Sequence, residues 1–207
     1  MKYFFTPPNQ LTFLRILLAP LFVALLFSAD EVSRQLSIFV FLLALLSDWY
    51  DGWVARRWGY ITRWGTFLDP LADKIITSSA FISFIYLSLV PAWTVWVIVF
   101  RDIVITILRS FSEYKGKPFD TSKLAKTKTF LQFVVLFYIL LLYVGRDVVR
   151  LMPYRSVMNT MLDPTLIYFM MVCIAVITVW TGVLYLTGNR KTLRELYDVT
   201  SRITESE

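Results

Sequence analysis

The chain has 207 residues, 57% of them apolar and 17% aromatic, with 21 Lys and Arg against 15 Asp and Glu for a net charge of +6. Its mean hydropathy of +0.61 is more than a water-soluble domain of this length could cover, and it turns the basic charge away from nucleic acid and towards a membrane surface with anionic headgroups. Histidine is absent and cysteine occurs once, as Cys173. That excludes a histidine base, a His/Cys zinc site and an intramolecular disulfide, leaving carboxylates, metal ions and basic residues as the possible carriers of chemistry.

A window of about 19 residues predicts six membrane spans. The first runs from Gln10 to Phe27, behind Asn9 as a helix N-cap with Thr12 at its third helical position. Lys2, the apolar run and the small pair Ser28-Ala29 imitate a signal peptide. Arg15 and Pro20 interrupt the core, however, and the run exceeds the usual h-region of about 7–15 residues, so a retained helix is expected. The second span, Leu36 to Val54, carries Asp48-Trp49-Tyr50-Asp51-Gly52 near its end. A basic connection with Arg56, Arg57 and Arg63 leads through Gly65, Asp69 and Asp73 into the third span, Leu71 to Val90. Asp69 precedes Pro70, which disfavours the α conformation and predicts a helix start or a kink there.

The fourth span, Trp93 to Phe111, contains Arg101-Asp102 and Arg109. A buried arginine needs a partner, so Arg101 is expected to pair with Asp102 or another acid. Arg109 lies near the end of its span with no obvious acid on its own helical face. The lysine-rich stretch Ser122-Lys123-Leu124-Ala125-Lys126-Thr127-Lys128-Thr129 opens the fifth span, Phe130 to Tyr143 with its flanks, and Thr165 to Leu186 is the sixth, with Cys173 as packing. Connections are short and no repeat or soluble appendage stands out, so residues 1–207 are expected to form one domain.

With six spans, both termini share a side. That side collects Lys2, Arg56, Arg57, Arg63, Lys115, Lys117, Lys123, Lys126, Lys128, Arg190, Lys191, Arg194 and Arg202, against Arg34, Arg146, Arg150 and Arg155 on the other. The positive-inside bias makes the richer side cytoplasmic. The expectation is an all-α integral protein of the plasma (inner) membrane, with six transmembrane helices in one bundle and both termini in the cytoplasm.

On a helix, Asp48, Asp51, Gly52 and Ala55 share one face at i, i+3, i+4 and i+7, and Gly65, Asp69 and Asp73 share another at i, i+4 and i+8. One acidic pair would read as a solvated face or as partners for nearby arginines. Two pairs beside small residues read as an oxygen-only cage for Mg²⁺ or Mn²⁺. Four facing acids repel when empty, and two divalent ions about 3.5–4 Å apart would neutralise them and suit phosphoryl chemistry. Gly52 and Gly65 fit both helix packing and close ligand approach. Arg56 adds a cation for a donor's phosphates.

Written out, Asp48 to Asp73 is D-x2-D-G-x2-A-R-x8-G-x3-D-x3-D, with all eight fixed positions filled. This resembles the signature of the CDP-alcohol phosphatidyltransferases, membrane enzymes that transfer a phosphatidyl or related group from a CDP-linked donor to an alcohol. The resemblance implies that Asp48, Asp51, Asp69 and Asp73 ligate two divalent ions and that Asp73 also acts as general base. It implies that Gly52, Ala55 and Gly65 line the cytidine diphosphate, with Arg56 on its phosphates and Thr62 nearby. Pro8-Asn9-Gln10-Leu11-Thr12-Phe13-Leu14-Arg15 is similar to the family's P-N-x2-T-x2-R opening, so Asn9 and Thr12 are either a donor-site wall or simply a helix start.

Arg101-x7-Arg109 followed by the lysine stretch and Gln132 is similar to the branch whose acceptor is glycerol 3-phosphate. That implies CDP-diacylglycerol as donor, phosphatidylglycerophosphate and CMP as products, and an acceptor-phosphate pocket of Arg109, Lys123 and Lys126. The plain alternative for those cations is positive-inside charge. The branch pattern departs at Asp102, where Glu is expected, and around Phe119-Asp120-Thr121, which keeps inositol phosphate, phosphatidylglycerol and serine open as acceptors. The family also implies a homodimer, with donor acyl chains reaching membrane lipids through a gap between helices. An Asp-rich prenyltransferase would separate its acidic motifs widely, a cation transporter would place its acids deeper, and an intramembrane aspartyl protease would need a GxGD stretch.

Overall fold

The computed structural model describes the backbone of residues 7–58, 63–114 and 123–190, and within these the side chains of 12–47, 50, 70–113, 126–148 and 150–190. Among the described residues every regular element is helical: α1 (Pro7–Leu26), α2 (Glu31–Trp58), α3 (Arg63–Tyr86), α4 (Ala92–Tyr114), α5 (Lys123–Gly145), a 3₁₀ segment (Val149–Tyr154), α6 (Arg155–Met161) and α7 (Pro164–Gly188). The six predicted spans fall on α1 to α5 and α7. Two stretches, Lys126–Gly145 and Pro164–Gly188, are long and apolar enough to cross a membrane.

Local chemistry sets the helix ends. Asp30 caps α2, accepting from the Ser33 amide at 2.9 Å and the Ser33 hydroxyl at 2.7 Å. Those donors, the hydroxyl foremost, hold the Asp30 carboxyl below its ordinary range. Asp163 caps α7 through the amides of Thr165 at 2.8 Å and Leu166 at 3.1 Å, ahead of Pro164 in the first turn. At the end of α3, the Leu89 amide reaches the Phe84 carbonyl and the Ser88 amide the Ile85 carbonyl, each at 2.9 Å. This Schellman closure requires the left-handed backbone of Ser88, φ 57°.

The bundle packs α1 on α2 and α3, α3 on α4, α4 on α7, and α5 on α7 and α2. Its core includes Phe22, Phe41, Phe81, Phe84, Ile98, Leu136 and Leu140, all fully buried. The ring of Phe41 on α2 sits 5.2 Å from Phe22 of α1 and 5.5 Å from Phe137 of α5. Large apolar side chains also cover the outside, among them Phe39, Phe100, Phe169 and Trp180, while Arg15, Asp102, Lys128 and Gln132 are buried. Apolar groups outward and charge inward is the arrangement that suits a hydrocarbon surround.

Two expectations are revised. Helix α3 does not start at Asp69 but begins at Arg63 and runs through Pro70, as α1 runs through Pro20. The restriction before proline is a preference, and neighbouring groups in a bundle re-satisfy the freed carbonyl. The segment from Val149 to Met161, expected only as a connection, forms two short helical turns. It follows the end of α5, where Asp147 pairs with Arg34 of the α1–α2 end at 3.1 Å, so two of the predicted bundle-end connections do meet.

Ser88 bears the cost of a left-handed backbone that glycine adopts freely. Ser88→Gly should therefore stabilise the bundle by about 0.5–1 kcal/mol, read as a higher thermal midpoint of the detergent-purified protein. A lower midpoint would show that the serine side chain contributes more than its backbone costs.

Candidate active site

The two acidic segments lie on helical backbone, Asp48 to Ala55 in α2 and Gly65 to Asp73 in α3, which is the condition the shared-face spacing needs. Thr62 lies outside the described residues, as do the side chains of Asn9, Asp48, Asp51, Ala55, Arg56, Asp69 and Lys123 and the surroundings of Gly52 and Gly65. Asp73 is the acid of the four whose surroundings are described. Among the described residues no three His, Cys, Asp or Glu side chains come together.

Asp73 is held from α1. Its Oδ1 accepts from Nη1 of Arg15 at 2.5 Å, and the arginine side chain is fully buried while Asp73 is 38% exposed. One turn further along α3, the Thr77 hydroxyl donates to the Asp73 carbonyl at 3.0 Å. Thr12, one turn before Arg15 on α1, is buried too. The opening segment of the chain and the end of the acidic motif are thus one unit of structure. Sequence reasoning noted Arg15 in its motif but had no means of naming its partner.

Asp73 faces a cavity of about 670 Å³ between α3, α4, α5 and α7. Lys74, Arg101, Arg109 and Lys126 contribute four cations to its lining, with Thr77 and Tyr185 among the polar groups. The predicted base and two of the three predicted acceptor cations therefore share one space. Phe130 and Phe133 give the cavity an apolar flank, so its charges are screened less than at an open surface. The basic wall suits phosphate groups, and Asp73 adds one carboxylate of the hard oxygen type that Mg²⁺ or Mn²⁺ takes.

Arg109 corrects one expectation. Its Nε donates to Oε1 of Glu113 at 2.8 Å, an i,i+4 pair on its own helical face. The predicted span ended at Phe111, but α4 continues to Tyr114 and carries Glu113 one turn beyond the arginine. The pair is partly exposed and contributes only about 0.3–0.5 kcal/mol, so Arg109 can exchange that partner for a ligand anion.

Behind the cavity lies a polar cluster centred on Asp102, which is 3% exposed. Its Oδ1 accepts from Lys128 Nζ at 2.5 Å and Arg101 Nη1 at 3.2 Å, and its Oδ2 lies 3.4 Å from Lys74 Nζ. The expected Arg101–Asp102 pair is present. Lys74 and Lys128 were not foreseen as its other members. Lys128 stands two residues from Lys126, so the two lysines point to different sides of α5, one buried and one exposed. Arg101 continues to α7, donating from Nη2 to the Thr181 hydroxyl at 3.1 Å. Its stem crosses α7 at Gly182, where an added Cβ would lie 3.1 Å from Arg101 Nε. Any larger residue there would press on the arginine stem, which would have to give by a few tenths of an ångström.

Comparison with known proteins gives the family. The family model described as CDP-alcohol phosphatidyltransferase matches residues 5–187. A Bacillus subtilis protein named CDP-diacylglycerol–glycerol-3-phosphate 3-phosphatidyltransferase is 35% identical over 149 residues, covering 66% of this chain and 77% of the relative. Proteins of the same name from Rickettsia typhi (31% over 144 residues; 70% and 81% covered) and Salmonella paratyphi A (34% over 142 residues; 66% and 77% covered) are similar as well. The helical bundle, its cationic cavity and these matches define a lipid-handling transferase. The chain belongs to the CDP-alcohol phosphatidyltransferase family and is an enzyme of that class.

If Arg15 serves the site by holding Asp73, its loss should damage turnover more than stability. Arg15→Met removes a charge-assisted hydrogen bond worth about 1.5–3 kcal/mol, so turnover should fall about 10- to 150-fold. Asp73 retains solvent access, so the thermal midpoint should move by only a few degrees. A collapsed midpoint would instead make Arg15 a structural strut.

Proposed function

We propose that this enzyme transfers the phosphatidyl group of CDP-diacylglycerol to glycerol 3-phosphate, giving phosphatidylglycerophosphate and CMP. The observation that carries the reading is the cavity in which Asp73 meets Arg109 and Lys126, with Lys74 and Arg101 beside them. A phosphorylated acceptor needs an anion pocket within reach of the base, and this cavity supplies one. The relatives' names support the same donor and acceptor.

Asp48, Asp51, Asp69 and Asp73 would hold two Mg²⁺ or Mn²⁺ ions, which when bound offset the donor's pyrophosphate charge. Gly52, Ala55 and Gly65 leave room for the nucleotide, Arg56 meets its phosphates, and Thr62, Asn9 and Thr12 complete the donor side. Arg109, Lys123 and Lys126 bind the acceptor phosphate and orient its hydroxyl. Asp73 takes the hydroxyl proton as the oxygen attacks the donor's β-phosphorus. A new P–O bond forms, the pyrophosphate P–O bond breaks, and CMP leaves with its electron pair. The motif supplies no Ser or Cys nucleophile, so transfer is direct and passes through a ternary complex.

The setting we propose is a bundle of six membrane-crossing helices in the plasma (inner) membrane, with both termini and the site on the cytoplasmic side, working as a homodimer. The support is the coincidence of six long helices with six predicted spans, and the basic residues gathered at the Asp73 end.

Two measurements test this reading. Purified protein given CDP-diacylglycerol and a panel of glycerol 3-phosphate, inositol phosphate, serine and phosphatidylglycerol should release CMP with the first. Arg109→Ala or Lys126→Ala should raise its KM about 10- to 150-fold, the worth of one charge-assisted hydrogen bond, with little change in KM for the donor. Release with a different acceptor would reassign the substrate, and equal damage to both KM values would move these residues to the donor or the fold.

Single Asp→Asn changes at positions 48, 51, 69 and 73 should each abolish most turnover while the protein remains extractable, because an amide binds Mg²⁺ poorly. Near-native turnover in any two of the four would end the two-metal reading.

A further inference from the structure

We propose that Asp102 is a positioning residue for the acceptor phosphate: from behind the cavity it sets where Lys74 and Arg101 present their positive charge. This rests on the cavity being the acceptor site, as proposed above. Lys74 and Arg101 line the cavity, whereas Asp102 and Lys128 do not and are almost fully buried. The carboxylate divides its oxygens between them, Oδ1 to Lys128 and Arg101 and Oδ2 to Lys74. Lys128 therefore fixes Asp102 from the inside, and Asp102 fixes the two cations that face outward. Arg101 is held on its far side by Thr181 and passes close against α7 at Gly182, where an added Cβ would lie 3.1 Å from its Nε. Its guanidinium is tethered at both ends.

The charge count points the same way. Three cations meet a single carboxylate, an excess of two positive charges in a largely buried cluster whose outward members both face the cavity. Among the described residues, the other acids near this wall are Glu113, which Arg109 engages, and Asp73, which Arg15 engages. A phosphomonoester carries about −1.5 to −2 at pH 7 and would neutralise that excess, whereas an acceptor lacking a phosphate would leave it standing. Asp102 does not touch that ligand. It keeps the excess at two and aims it.

The test separates positioning from mere cross-linking of helices. Asp102→Asn combined with Lys128→Met removes the inner pair without a net change of charge and leaves Lys74 and Arg101 intact but untethered. In full-length protein in detergent, this double variant should keep its thermal midpoint within a few degrees and its KM for CDP-diacylglycerol within about twofold. Its KM for glycerol 3-phosphate should rise at least tenfold, and Asp102→Glu should recover most of that loss. Unchanged KM for the acceptor, or equal damage to both substrates, would overturn the proposal. If the double variant does not fold, Thr181→Val, which frees only the outer tether of Arg101, should raise the acceptor KM severalfold at constant donor KM; no change would overturn the proposal equally. If wild-type protein does not use glycerol 3-phosphate at all, the functional reading fails separately. Inorganic phosphate in metal-free buffer should then still raise the thermal midpoint of wild type and not of the double variant, against chloride at matched ionic strength. Equal shifts in both, or none in either, would reject a role for Asp102.

Discussion

A carboxylate buried among apolar helices has to be neutralised by charge that other helices bring to it, and Asp102 is where this bundle meets that requirement. Leaving such a group unpaired costs about 3–5 kcal/mol, so each partner becomes a constraint on helix placement. Lys74 ties α3 to α4, Lys128 ties α5 to α4, and Arg101 carries the tie to Thr181 on α7. Helices α5 and α7 have outer faces of apolar side chains with little to specify rotation or register. Polar ties supply what apolar contact leaves open, since packing alone tolerates small slips that a fixed set of hydrogen bonds does not.

The same requirement shapes the other end of the site. Arg15 is fully buried on α1 and finds its partner in Asp73 on α3, 58 residues away in sequence. This tie differs from the Asp102 cluster in which group meets the cavity: there the carboxylate is buried and its cations Lys74 and Arg101 face outward, whereas here the part-buried carboxylate of Asp73 faces the cavity and its cation is buried. Having both within one bundle leaves a rigid polar tie on either side of the cavity.

Much of this was legible in the sequence, and what was not has physical reasons. Long apolar runs locate the six long helices because hydrocarbon length is a property of the chain itself. Their polar extensions were missed: α3 begins at Arg63 and α4 reaches Tyr114, since a hydropathy window stops where charge begins although a helix need not. Glu113 escaped notice for that reason, and with it the partner of Arg109. The four acids were legible because i, i+3 and i+4 spacings survive in a linear string. Asp102 was paired with its neighbour Arg101 for the same reason. Its bonds to Lys74 and Lys128 span 28 and 26 residues and are set by how helices pack, which no local spacing encodes. The lysine stretch concealed a division of labour, with Lys126 at the cavity and Lys128 in the interior.

The arrangement also bears on why such a site uses several helices rather than one loop. On the proposed reading, a donor with acyl chains would approach from the lipid side and a phosphorylated acceptor from water, so their binding groups would have to converge from different directions. Helices α1 and α3 hold the acid, α3, α4 and α5 bring the cations, and α7 lines the cavity with Tyr185 and holds Arg101 through Thr181. Helix α4 alone brings Arg101, Asp102 and Arg109 to this region, and pairing with acids and bases of its own and of other helices offsets their desolvation. The polar groups become a site only once the bundle has assembled, when the penalty has been offset by pairing. The cationic cavity therefore follows from assembly of the bundle, and the Asp102 cluster decides where within it two of the charges end.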